Sequence, residues 1–148
     1  GDLMAVTTAV CNSFKTEVLK GEHDFAVSQD KFYLALYLTG ATINKSTTSY
    51  GTTSESSGTN YTAGGKLLAI ASQLVTLETD TACVDFGNVS WQTATITAKG
   101  AVIYNTSTST TRKAVCVLNF GGNKTSTAGT FTVQFPAVTD TQAILRIA

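Results

Sequence analysis

The residue types able to do chemistry are few in this chain. It holds one histidine, His23, and three cysteines, Cys11, Cys83 and Cys116. A Ser-His hydrolase needs an imidazole base beside a nucleophile on a sharp turn. No Gly-x-Ser-x-Gly elbow occurs, and His23 stands near a turn with no second histidine to build a metal site. Cys116 lies inside the apolar run KAVCVLNF, where a thiol behaves as a small hydrophobe. Three cysteines do not make a disulfide framework. Taken as structural thiols, they point to synthesis in a reducing cytoplasm. Glu78, Asp80 and Asp85 form one loose acidic group without the spacing of a calcium loop, and solvated loop charge is preferred to a weak divalent site. Gly64-Gly65 and Gly121-Gly122-Asn123-Lys124 lack the strand, loop and helix order of a phosphate cradle and read as hairpin turns. The expectation is a chain with no catalytic, cofactor-binding or metal residues.

Those residues must be carried by one domain, because 148 residues suffice for a single core. Ten basic and ten acidic residues cancel, and charged residues make up only 14% of the chain, well below the roughly 25% of an average domain. A neutral, charge-poor surface argues against nucleic acid, which needs clustered Lys and Arg. Low charge also weakens the repulsion that keeps copies apart. The longest apolar runs, FYLALYL and LLAIASQLV, fall far short of the roughly 20 residues of a membrane span, and no signal peptide is visible. The sequons at Asn44, Asn60, Asn88, Asn105 and Asn123 are taken as chance in a Ser/Thr-rich chain. Gly1-Asp2-Leu3 before Met4 reads as a cloning scar ahead of the initiator.

In chain order, an extended arm over 5–8 leads into one helix over 9–20. There Val10, Phe14 and Val18 recur every four residues, and Gly21 supplies the stop. The helix reads as a lid over the sheet. A strand follows over 30–38, with Phe32, Leu34, Leu36 and Leu38 on one side and Tyr33, Ala35 and Tyr37 on the other, so both faces should be covered. The interval 39–65 is dominated by Thr, Ser and Gly and reads as a long exposed loop or arm. Its large side chains, Tyr50 and Tyr61, could anchor it to the same chain or to a neighbour. KLLAIASQLVTLE, 66–78, fits a helix by its Leu and Ile spacing and strands by its Val and Thr; strand is the choice in a β-rich chain. A short segment runs over 80–88.

The block 89–135 organises the rest. Its three runs, VSWQTATITAKGAVIYN, KAVCVLNFGG and GTFTVQFP, are rich in β-branched and aromatic residues. Phe131, Val133 and Phe135 alternate with Thr130, Thr132 and Gln134, the period of a half-buried strand. Gly100 predicts a bulge, while 105–111 and 121–129 predict hairpin connections, the second being the firmest antiparallel pairing. Trp91 is placed in the core or a strand interface. A last strand falls over 143–147, and Pro136 ends the one before it. Seven to nine strands and one N-terminal helix predict a mainly β protein, an antiparallel β-sandwich or jelly-roll-like domain.

The order of blocks CNSFKTEVLKGEHDF, FYLALYL, GTNYTAGGKLL, FGNVSWQTATITAKGAVIYN, AVCVLNFGGNKTSTAGTFTVQFP and AILRIA resembles a group of small virion structural proteins of tailed bacteriophages, over nearly the whole chain from Met4. The resemblance implies a virion protein made in the host bacterial cytoplasm, with no catalytic residues to carry over. As a capsid decoration or cement protein it would join other virion proteins, the major capsid protein first, as a homo-oligomer. The arm 5–8, the loop 39–65 and a face bearing Tyr33, Tyr37, Tyr50 and Tyr61 would make the contacts. A tail or neck subunit or adsorption module is the alternative. A carbohydrate-binding or hydrolytic module using Trp91 and the tyrosines is a third.

Overall fold

A computed structural model describes residues 8–26, 29–68, 74–107, 112–136 and 144–147. In order the elements are β1 (Ala9–Val10), α1 (Asn12–Leu19), β2 (Phe32–Tyr37), β3 (Lys66–Leu67), β4 (Leu74–Glu78), β5 (Thr81–Asp85), β6 (Val89–Asn105), β7 (Ala114–Val133) and β8 (Leu145–Ile147). They form two antiparallel sheets, β1-β7-β6-β2-β3 and β4-β5-β8, in a sandwich-like arrangement and not a closed barrel. The mainly β expectation with one N-terminal helix therefore holds.

The frame is the ribbon β6–β7, paired from Val89 opposite Val133 to Tyr104 opposite Ala114. Where β6 lies between β7 and β2, every residue from 100 to 105 is buried, the pattern of a strand covered on both faces. Gly100 marks a register shift, as the break in the apolar run predicts. β2 is sandwiched too. On one side Phe32 is fully buried, stacked on Phe25 at 4.6 Å and tilted against Phe86 at 5.8 Å. Burial of each such ring stabilises by about 1.5–3 kcal/mol. Phe14 of α1 extends this cluster, with its ring centroid 5.8 Å from Phe25.

Three expectations are corrected. The helix does not begin at 9: Ala9 and Val10 pair with Val117 and Cys116 of β7, and the Cys11 N–H donates to Val115 O at 3.0 Å. An open sheet edge offers this backbone ladder bonds that a first helical turn cannot. The helix starts at Asn12, whose N–H donates to Lys45 O at 2.8 Å, and it ends at Gly21 with φ +73° as expected. The segment 121–129 is not a hairpin turn. It is the middle of β7, where Thr125 meets Thr97 across the ribbon and the Ser126 hydroxyl donates to Ala94 O at 2.8 Å. Its β-branched Thr residues favour the strand, and the glycines beside them accommodate irregular register without reversing the chain.

The interval 39–65 is a strap rather than an exposed arm. Leu38 N donates to Ser54 O and Ser56 N to Leu36 O, so the strap lies along β2. It then tracks the outer edge of β6 through Ser56 Oγ to Thr97 O, Thr95 N to Thr59 O and Asn60 Nδ2 to Thr93 O. Within it Ala41 and Ile43 are buried. Apolar content was the wrong measure, because backbone and hydroxyl bonds do the fastening. The strand reading of 66–78 holds at its described ends, β3 and β4; residues 69–73 lie outside the described residues, as do 1–7, with the expected scar and most of the arm, and 108–111.

Two glycines let the strap approach closely. A Cβ on Gly58 (φ +146°) would stand 1.9 Å from Thr95 O, and one on Gly65 (φ +81°) 1.9 Å from Leu34 O. Gly65→Ala should therefore lower the unfolding free energy by about 3 kcal/mol or more in urea titrations. Gly21→Ala, with open space around it, should cost about 1 kcal/mol. Equal effects would contradict the close approach.

Candidate functional site

All five tyrosines meet under the strap. Tyr33, Ala35 and Tyr37 share one face of β2, and Tyr104 lies opposite Tyr33 on β6. The strap brings Tyr50 and Tyr61 onto this face with Glu55 between them. Glu55 Oε1 accepts from the Tyr50 hydroxyl at 2.6 Å, and Oε2 accepts from the Tyr61 hydroxyl at 2.7 Å and Gly64 N at 2.8 Å. The Tyr61 oxygen in turn accepts from Leu36 N at 2.9 Å. Tyr37 donates to Gly51 O at 2.7 Å and Tyr104 to Gly64 O at 2.5 Å. Tyr50 stacks on Tyr104 at 4.7 Å, and the Arg112 guanidinium lies over the Tyr50 ring, 5.6 Å from its centroid.

Four of these phenols, Tyr37, Tyr50, Tyr61 and Tyr104, are hard to ionise. Burial pushes Tyr104 up to about 12, and burial together with the Glu55 carboxylate pushes Tyr37, Tyr50 and Tyr61 higher still. Of the residues expected to contact a partner, Tyr37 is buried at 2% exposure, with its hydroxyl on Gly51 O. Tyr50 and Tyr61 are half-buried and commit their hydroxyls to Glu55, which is anchorage within the chain. Tyr33 is half-buried against Tyr104, 5.9 Å ring to ring. The sequence carries a signal for this site that went unused, since Glu55 is the only acid between 39 and 65 and stands between the two tyrosines.

His23 belongs to a second polar cluster, on the opposite face of the large sheet. Asn105, fully buried at the end of β6, fixes it. Asn105 Oδ1 accepts from Ser107 N at 2.8 Å and Nδ2 donates to Asp30 Oδ2 at 2.8 Å, which sets the amide's orientation. Nδ2 then also donates to His23 Nδ1 at 3.0 Å, leaving the Nε2–H to donate to Glu17 Oε1 at 2.9 Å. Lys113 closes the cluster, 2.6 Å from Glu22 and 4.0 Å from Glu17. Its hydrogen bond holds the Glu22 carboxyl below the usual carboxylate range, and Glu22 raises Lys113 in return. His23 thus meets an acid, but both ring nitrogens are occupied and neither reaches a hydroxyl or thiol. The arrangement ties His23 and Asp30 to α1 and β6 and Glu22 to Lys113; it holds no nucleophile.

The remaining candidates disperse. All three cysteines are buried, with burial pushing Cys11 up to about 11 and Cys116 further. Trp91, 4% exposed, sits edge-on to Phe131 and beneath Lys66, so it presents no sugar platform. Glu78 and Asp80 stand at the β4–β5 turn, while Asp85 pairs with Leu74 at the far end of the hairpin. Among the described residues no group of three or more His, Cys, Asp or Glu is placed to hold a metal ion. Gly121 lies inside β7 and Gly64-Gly65 in the strap, where neither cradles a phosphate. Sequence reasoning missed one feature entirely, an apolar cleft of ≈410 Å³ between α1 and the three-stranded sheet.

Two measurements check these clusters. Tyr37, Tyr50, Tyr61 and Tyr104 keep their protons more tightly when folded, so their stabilisation is intact below pH 10.0 and is lost as pH rises from there through about 12. Urea midpoints should stay level below that window and fall within it, with tyrosinate absorbance lagging behind that of free tyrosine; native tyrosines ionising near pH 10.0 would contradict the burial. Asn105→Leu strands His23, Asp30 and the Ser107 amide together, and should cost about 2–4 kcal/mol in the same titrations. No protein-family model, curated protein or solved structure matches the chain.

Proposed function

We propose that this chain is a structural protein of a tailed-bacteriophage particle, a capsid decoration or cement protein that joins neighbouring subunits of the head. The block order quoted above supports the phage setting. The single observation that carries an adhesive role is the outer edge of β7. Beyond Val117 no strand pairs with it among the described residues, although β7 runs on to Val133. An edge of that length is a template for another chain's backbone.

Its composition suits regulated docking better than indiscriminate aggregation. Thr, Ser, Gly and Lys124 populate the edge, and register shifts twist it. The chain carries no net charge, so contact with a capsid involves little overall charge repulsion. Conventional catalysis has no footing at the chain's only histidine, whose ring nitrogens are both bonded to structural partners. Cement action needs many modest contacts repeated by symmetry, and for that a rigid domain with one open edge is sufficient.

The test is binding of the purified chain to heads of its phage. Saturating binding to expanded heads, many copies per particle, with raised resistance of those heads to heat, is the expected outcome. Attachment at a single vertex would shift the assignment to the tail or neck. No binding to any part of the particle would overturn the virion reading.

A further inference from the structure

The side chain of His23 is fully buried, with ring centroids of Phe14 at 4.9 Å, Phe32 at 6.4 Å and Phe25 at 6.5 Å. A titratable group set this deep among aromatic rings has no water to answer a change in its protonation. Its two nitrogens depend on two different elements. Nε2 donates to Glu17 of α1, whereas Nδ1 accepts from Asn105 at the end of β6. Only a neutral imidazole serves both, because an imidazolium carries a hydrogen on each nitrogen.

Asn105 cannot adapt to a charged ring. Its Nδ2 hydrogens go to His23 and to Asp30 Oδ2, while its Oδ1 accepts from Ser107 N. Turning the amide over would set Oδ1 against the Asp30 carboxylate and Nδ2 against the Ser107 N–H, so two bonds would be lost to mend one. Asp30 Oδ2 is engaged a second time, by Asp24 N at 2.9 Å. The other titratable groups around the ring leave the conflict in place. Glu17 attracts positive charge; Lys113, 4.0 Å from Glu17 and 2.6 Å from Glu22, opposes it; the Cys11 thiol near Glu17, pushed up to about 11 by burial, stays neutral. Because Glu17 accepts from Nε2–H in either state, its pull favours a ring that keeps α1 and gives up β6.

We propose that His23 is a proton-operated latch: a proton on Nδ1 parts the ring from Asn105, and the chain around Asp24 loosens from β6 while His23 stays with Glu17 on α1. Asp24 follows His23 directly, so a ring that moves off Asn105 draws the Asp24 N–H away from Asp30. Asn105 then keeps one Nδ2 hydrogen without its acceptor, in a place where water does not reach. The main ribbon stays outside the change. From Gly100 to Tyr104, β6 is held between β7 and β2 by backbone ladders that a proton on His23 does not touch. Opening is therefore local. Nothing in this latch depends on the virion reading.

Nitrogen NMR of the intact chain from about pH 8 to about pH 5, where imidazoles change their charge, tests it. The sole histidine gives one unambiguous pair of ring signals. As the ring takes up its second proton, the Asn105 side-chain amide signals should shift in step. Hydrogen exchange at the Asp24 amide, corrected for its intrinsic pH dependence, should quicken about ten-fold or more. The Glu22 amide, bonded to Glu17 O, and those of 101–103 in β6 should hold their rates. His23→Gln keeps a donor and an acceptor but takes up no proton, and it leaves Glu17, Glu22, Asp24 and Asp30 in place to titrate. In that variant the acid response should be absent; where it does not fold, the wild-type titration alone decides. A charged ring with Asp24 still protected, a ring neutral over the whole range, an equal response in His23→Gln, or quickened exchange spread through β6 would each overturn the latch.

Discussion

Three hydrogen bonds to the carboxylate of Glu55, from Tyr50, Tyr61 and Gly64, tie the strap 39–65 to itself and hold it in the shape in which Tyr61 and Gly64 bond to Leu36 and Tyr104 of the main sheet. Much else depends on that clasp. The strap it holds covers the tyrosine face of β2 and lies along the free edge of β6, satisfying backbone groups that would otherwise be open. Without it the ribbon β6–β7 would expose two edges over most of its length. With it, one edge is closed from within, while the other, on β7 beyond Val117, has no strand paired to it among the described residues.

The two faces of the large sheet are held by different physics. On one, Phe25, Phe32 and Phe86 form an aromatic core into which the His23–Asn105–Asp30 chain is set as a polar seam. On the other, phenol rings stack while their hydroxyls reach backbone carbonyls and one carboxylate. Burial raises the phenols, and Glu55 reinforces that at Tyr37, Tyr50 and Tyr61. Both clusters fit groups employed in holding segments together.

Much of the architecture was legible. Two-residue alternation located β2, β6 and both ends of β7, Gly100 announced the bulge, and Gly21 the helix stop. The errors share a cause. Periodicity reports which side chains face a core, and it is silent where a segment is held by its backbone. Ala9 and Val10 carry a helical repeat yet are captured by the edge of β7. Gly121 and Gly122 look like a turn yet sit within a strand whose Thr residues bond across the ribbon. The strap has almost no apolar content and is nevertheless fixed. Tyr50 and Tyr61 were visible as anchors, but their shared partner, Glu55, is a tertiary fact, as are the meeting of α1 with the small sheet and the pairing of His23 with Asn105 across 82 positions.

In this account the molecule, which carries no net charge, works through the open, hydroxyl-rich strand edge of β7. A density map of the phage particle by cryo-microscopy, resolved well enough to place this domain, tests that claim most directly. The account predicts copies repeated over the outside of the head, with the outer edge of β7 against a neighbouring chain. Particles in which the domain is absent, or in which that edge faces only solvent, would contradict it.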